Sequence, residues 1–220
     1  MSGPAHPGAR PPVVAVLDYG IGNLRSAQKA LERVGATAHL TADPGVVAAA
    51  DGVVLPGVGA FGRCAEALAT SGLADVAVEA IATGRPFLGI CVGMQLLYEG
   101  SEESPGVPGL GVLPGTVGRL PAGVKHPQMQ WNVLDRRPGP TGSGPAMLRG
   151  VADPVWVYFV HSYAVPDSEH VAATCDYGGV VPALVERGNV WATQFHPEKS
   201  GAVGLGLLSA FVAMVGEAQP

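Results

Sequence analysis

Over its first hundred residues the chain alternates short apolar runs with glycine-bearing loops and helical stretches, and that alternation leaves few folds open. Val13 to Asp18 is an apolar run that meets "YGIGN" and then "LRSAQKALERVG", an amphipathic helix closed by Gly35. Strand-like runs follow near Thr37 to Leu40 and Gly52 to Leu55. Next come the glycine loop "PGVGAFG", helical material from Arg63 to Ala82, and a buried-strand pattern at Phe87 to Ile90 introduced by Arg85-Pro86. Strands in regular alternation with helices predict a parallel, doubly wound sheet. After Glu99 short strand-like pieces dominate, near Gly115 to Arg119, Met129 to Leu134, Val155 to Val160, His170 to Thr174 and Val190 to Phe195. "RRPGPTGSGP", Arg136 to Pro145, reads as a surface loop, and a helix from about Gly201 to Met214 closes the chain. The expected class is therefore α/β: a doubly wound, mostly parallel sheet flanked by helices, with additional antiparallel strands in the C-terminal half. One domain is expected over residues 13 to 215, after a disordered Pro/Gly-rich tail over residues 1 to 12.

Composition narrows the function. The 220 residues are 47% hydrophobic and only 14% charged, enough apolar material for a real core. A net charge of −5 argues against a nucleic-acid footprint. No apolar run approaches the roughly 18 residues that span a bilayer, and the N-terminal stretch lacks the apolar segment of a signal peptide. Three cysteines without paired spacing suit free thiols in a reducing cytoplasm.

One of those cysteines stands at an unusual corner. Gly89-Ile90-Cys91-Val92-Gly93 has the G-x-nucleophile-x-G form of a nucleophile elbow, between a strand and the helix-favouring Met94 to Tyr98. Such a turn strains the nucleophile's backbone, so its neighbours must lack side chains where strand and helix converge. The helix N-terminus that follows favours a thiolate and a developing oxyanion. The bland alternative is a small core hydrophobe at a strand end.

A thiol nucleophile needs a base, and the base needs an orienting acceptor. His6 lies in the tail, His39 and His170 among ordinary surface residues, and His126 in a turn-like "KHPQ". That leaves His161 in "FVHSY" and His196 in "QFHPEKS". His196 ends an apolar strand, Pro197 stiffens the turn, and Glu198 stands two residues on to orient the imidazole. Cys91, His196 and Glu198 supply nucleophile, base and acid in that order. His196-Pro197-Glu198 fits the H-x-E of zinc deaminases, but the required P-C-x-x-C is missing. Cys91, His161 and His196 lack metal-ligand spacing, so no metal is expected. In "PGVGAFG", Gly57, Gly59 and Gly62 match a dinucleotide spacing without the acid about 20 residues on. A loop whose backbone forms an oxyanion site facing Cys91 is the better reading.

These residues resemble a known family. "GICVGMQ" followed far down the chain by "HPE" resembles the triad (class I) glutamine amidotransferases. "DYGIGNLRS", "PGVGAFG", "YFVHSY" and "QFHPEKS" together resemble the glutaminase subunits of imidazole glycerol phosphate synthase, from about Val13 to the final helix. The resemblance implies hydrolysis of glutamine to glutamate and ammonia through a cysteinyl thioester, with no cofactor. It implies a heterodimer with a cyclase subunit, a (β/α)₈ barrel of the HisF type, which would receive the ammonia in histidine biosynthesis to make imidazole glycerol phosphate and AICAR. By matching position, Cys91 is the nucleophile, His196 the base and acid, and Glu198 its orienter. Val58, Gly59 and the Val92 amide match the oxyanion site. Gly57, Gln95, Glu103, Ser162 and Tyr163 match substrate-binding positions, and Trp131, Tyr158 and Lys199 match positions facing the cyclase. The family usually reads M-G-W-N where this chain has "MQWN", so a Gln130 side chain is expected to perturb the strand carrying Trp131. The alternatives are a glutaminase subunit of another amidotransferase, such as anthranilate synthase, and a non-catalytic regulatory homologue.

Overall fold

The apolar runs of the N-terminal half become neighbouring strands, with the second in chain order at the sheet's edge and the others almost wholly buried. The computed structural model describes residues 10–138 and 144–219; most of the expected tail and the middle of the expected 136–145 loop lie outside the described residues. β1 (Val13–Leu17), β2 (Thr37–Thr41), β3 (Gly52–Gly57) and β4 (Phe87–Cys91) are parallel neighbours, and β3 and β4 are buried at every residue. Uninterrupted burial needs cover on both faces. The cover comes from α1 (Leu24–Arg33), α2 (Pro44–Ala49), α3 (Phe61–Thr70) and α4 (Leu73–Ala82), together with the last helix. α5 (Val92–Gln95) follows β4 directly.

The second half adds β5 (Gly100–Ser101), β6 (Thr116–Arg119), β7 (Gln128–Arg136), β8 (Val155–His161), β9 (Tyr163–Ala164), β10 (Val171–Asp176), β11 (Val180–Arg187), β12 (Val190–Thr193) and α6 (Gly201–Glu217). The main sheet has nine strands in the order β2-β1-β3-β4-β12-β11-β10-β7-β8, and β5, β6 and β9 form a small second one. It is parallel from β2 to β12 and antiparallel from there on. The far strand β8 returns to the loop after β12: His196 N donates to Tyr158 O at 3.0 Å, and Tyr158 N donates to Ser200 Oγ at 3.0 Å. Among the described residues no helix is long and apolar enough to cross a membrane.

Several local expectations change. The helical stretch 63–82 is two helices, parted at Gly72, whose φ of 75° is left-handed. The helix expected over Met94 to Tyr98 is instead α5, displaced towards the elbow. The carbonyls of Leu96, Leu97 and Tyr98 accept from Leu110, Leu113 and Gly111, so they are taken up by a loop. β11 is not among the expected strands, and it contains Pro182, a residue that disfavours strand interiors. It is accommodated where the β10–β11 register shifts, the kind of irregularity that tolerates a missing N–H. α2 also escapes the apolar pattern; it starts on Pro44, with the Asp43 carboxylate accepting from Gly45 N. Arg10 to Pro12, assigned above to the tail, are tied down. Arg10 meets both Asp51 carboxylate oxygens at 2.7 Å, and Pro12 O accepts from Thr37 N.

Candidate active site

Parallel register gathers the site at one sheet edge. Gly57 pairs with Cys91 and Thr193 with Ile90, so β3, β4 and β12 end side by side. Ligands in open α/β sheets bind beyond such carboxyl ends. Cys91 has φ 56°, and no other non-glycine among the described residues has positive φ. The two elbow glycines are there for space. A Cβ on Gly93 would lie 1.9 Å from Leu55 O, and one on Gly89 would lie 2.9 Å from Gly93 O. Gly57 serves the same junction: its Cβ would meet Gly93 N at 2.7 Å. It packs β3 against the elbow and is not among the residues that line the cavity over Cys91.

His196 is held on three sides. Its Nδ1 lies 2.8 Å from Glu198 Oε1, both side chains being almost fully buried. Ser200 Oγ donates to His196 O at 2.7 Å, and the His196 N–H is bonded to β8 as above. Behind the loop, α6 presses its backbone on Pro197; a Cβ at Gly204 would lie 1.9 Å from Pro197 O. His196 Nε2 is buried without a hydrogen-bond partner, so this nitrogen is free to carry a proton to and from a reactant. Burial alone would lower the imidazole pKa, but the Cys91 sulfur and the Glu198 carboxylate outweigh it and lift it to about 9. Such an environment favours the proton on His196. His161, the other strand-end histidine, is pushed down to about 4 by burial. It stays neutral, and its Nδ1 donates to Tyr163 O at 2.8 Å.

The raised His196 pKa has a definite sign. Its interactions add stability that is fully present below the unfolded value near 6.5 and is lost as pH rises through about 9. Wild type should therefore lose stability across that window relative to His196→Asn, with the two curves parallel at more alkaline pH. Urea unfolding across the window checks this; parallel curves throughout would contradict the charged pair.

A cavity of about 540 Å³ opens over the sulfur, lined by Cys91, His196, Val58, Gly59, Val92, Gln95, Glu103, Ser162, Tyr163 and Lys199 among others. Glu198 stands behind His196. Gln95 Nε2 donates to Tyr163 O at 3.1 Å and to Gln194 Oε1 at 3.0 Å. Glu103 Oε2 accepts from Phe61 N at 2.7 Å, capping α3, the helix that follows "PGVGA". The carbonyls of Ser162 and Tyr163 are both engaged within the protein. At the mouth of "PGVG", Tyr19 OH donates to Pro56 O at 2.7 Å, and Cys64 Sγ donates to Val58 O at 3.3 Å. Sequence reasoning missed Gly22 and Asn23, which also line the cavity. They follow β1, next to β3 in the sheet, so the strand-end rule pointed to them. It also passed over Gln194 and Val160, for which no local pattern gave a signal.

Trp131 and Tyr158 lie outside the cavity, opposite each other on β7 and β8, with ring centroids 6.0 Å apart. The β7–β8 register runs unbroken from Gln128 to Leu134, so exposed Gln130 leaves the strand undisturbed. Met129, Trp131 and Trp156 are 62%, 49% and 47% exposed, and the register puts them on the Tyr158 face.

The family model described as "Glutamine amidotransferase class-I" matches residues 15–213. The chain belongs to the class-I glutamine amidotransferases. Within that family it is 48% identical over 209 residues to the imidazole glycerol phosphate synthase subunit HisH of Syntrophotalea carbinolica, covering 90% of this chain and 98% of the relative. It is 50% identical over 212 residues to the HisH subunit of Geobacter sulfurreducens, covering 91% and 98%. A crystal structure of a glutamine amidotransferase shares the fold at a TM-score of 0.72 and 24% identity, over 92% of this chain and 98% of that one. The structure of PurLQS from Thermotoga maritima does so at 0.67 and 19% identity, over 93% and 99%. The mixed sheet and the helices covering it are thus the amidotransferase architecture.

Proposed function

We propose that this amidotransferase is the glutaminase subunit of an imidazole glycerol phosphate synthase, passing ammonia to a (β/α)₈ cyclase of the HisF type. The observation that carries the reading is Cys91, strained at φ 56° on the end of β4, sharing one cavity with an imidazole backed by a buried carboxylate. In this reading the Cys91 thiolate attacks the side-chain amide carbon of glutamine, and the C=O electrons move onto oxygen. Backbone N–H groups of the Val58–Gly59 segment and of Val92 stabilise that oxyanion. Collapse breaks the C–N bond, and His196 gives its proton to the leaving nitrogen, releasing ammonia and a thioester. His196 then takes a proton from water as it attacks the thioester, and glutamate leaves with the thiolate restored. Glu198 keeps Nδ1 protonated throughout, so Nε2 does the exchanging. The negative Glu103 and the acceptor oxygen of Gln95 suit the α-ammonium end of glutamine.

Released ammonia becomes mostly ammonium in water at neutral pH and stops being a nucleophile, so a partner that receives it dry is the sensible arrangement. The apolar Met129, Trp131 and Trp156 face supports this. It adjoins the cavity through Val160 and Lys199, and exposed aromatic clusters of this kind mark docking sites. Glutamate release is expected to be weak for the chain alone and stimulated by the cyclase with its nucleotide bound. Trp131→Ala should weaken cyclase docking about thirtyfold, the loss of a central aromatic anchor. Calorimetric titration alongside a glutamate-release assay tests both. Release that is equally fast with and without the cyclase would refute the partner assignment.

A further inference from the structure

Gln194 is wholly buried, 0% exposed, and no step of the reaction above uses it. It lies just past the end of β12, beside the elbow, because Thr193 pairs with Ile90. Its Nε2 donates to Cys91 Sγ at 3.8 Å, and its Oε1 accepts from Gln95 Nε2 at 3.0 Å. The direction of this chain is not arbitrary. Tyr163 O is a backbone carbonyl and can only accept, so the Gln95 group 3.1 Å from it must be the NH₂. The second hydrogen of that NH₂ then points at Gln194, which must answer with its oxygen. The Gln194 NH₂ is thereby turned towards the sulfur. His161 Nδ1 donates to the same Tyr163 carbonyl at 2.8 Å and fixes its position.

The geometry points to Gln194 as a positioning residue with two effects: its N–H holds the Cys91 sulfur, and its oxygen fixes the Gln95 carboxamide so that only Oε1 faces the cavity. The second effect rests on the glutaminase reading, because it makes Gln95 an acceptor for a donor group of the substrate, the α-ammonium of a free amino acid. The first does not depend on that reading. A buried sulfur that carries negative charge needs donors, and a hydrogen bond to a charged group is stronger than one between neutral groups. The other groups around Cys91 are His196 and Glu198 after β12, Tyr19 after β1, Cys64 on α3, Glu103, His161 and Lys199 around the cavity, and the Val160 carbonyl, which accepts from the Cys91 thiol at 4.0 Å.

The test uses Gln194→Leu and Gln194→Met in the full chain, with the cyclase present for the kinetics. Alkylation of Cys91 by iodoacetamide should slow about tenfold near neutral pH and return to the wild-type rate at alkaline pH. A merely packed residue would change the rate equally at every pH. The KM for glutamine should rise about tenfold as Gln95 is freed to turn, on top of any loss in kcat. Should one variant not fold, the other gives the same two readouts. A wild-type alkylation–pH profile in the folded variant overturns the first effect, and an unchanged KM overturns the second. If the wild-type complex releases no glutamate from glutamine, the glutaminase reading fails, and the alkylation profile still decides the role of Gln194 at the sulfur.

Discussion

Cys91→Ala is expected to abolish glutamine hydrolysis, by about 10⁶-fold in kcat, the scale on which a triad enzyme loses its nucleophile. The alanine keeps the Cβ, so it adds no backbone strain at the φ of 56° that the cysteine already tolerates. The docking face on β7 and β8 is untouched, so the variant should still bind the cyclase. External ammonium at high pH should restore product formation by the variant complex, because the synthase chemistry belongs to the cyclase in this reading. Thiol labelling supplies a second readout. Burial raises the Cys64 thiol and lifts Cys175 to about 11, so neither supplies thiolate near neutral pH. A glutamine-derived electrophile should therefore label Cys91 first. Equal labelling of all three cysteines, or residual hydrolysis by Cys91→Ala, would remove the elbow from the mechanism.

Gly93→Ala should cost heavily in stability. The new Cβ would fall 1.9 Å from the Leu55 carbonyl oxygen and 2.9 Å from its carbon, both of them backbone. Relief requires α5 to part from β3, a strand buried along its whole length. The expected loss exceeds about 5 kcal/mol, in the range reserved for direct disruption of a core. Gly84→Ala is the contrasting control: unlike Gly93 it has positive φ, 81°, and nothing lies within 4 Å of its Cβ. That change should cost only about 1–2 kcal/mol. Thermal unfolding of the two variants separates steric collision from backbone strain, and a wild-type Tm for Gly93→Ala would contradict the packing described here.

The parallel half of the sheet was legible because covered strands must be apolar throughout and their connections must be helical. The residues proposed as the triad stand out because each carries a local mark: the glycine spacing around Cys91, and a proline between His196 and Glu198. What escaped was set by long-range contacts. Gln194 looks like any polar residue after a strand until β12 is placed beside β4. The stretch after Gln95 has helix-favouring residues, yet its carbonyls are claimed by Leu110, Gly111 and Leu113. β11 holds Pro182, whose missing N–H falls where the ladder is already irregular, and only the pairing with β10 shows that. Gly57 read as a ligand-contacting glycine, but the backbone it approaches is the elbow's own.

The contact between Gly204 and Pro197 gives the order of synthesis a chemical meaning. Cys91 leaves the ribosome long before the residues that make it a nucleophile, and β4 can find β3 and β1 while the rest of the protein is still being made. The imidazole arrives near the end, and its loop is clamped only when α6 has docked, through Ser200 and the bare backbone of Gly204. A chain in which α6 has not docked therefore carries Cys91 in an unfinished pocket. Docking of α6 is thus what joins the imidazole to the elbow, and the chemistry of the site depends on a helix that contributes no residue to the proposed triad.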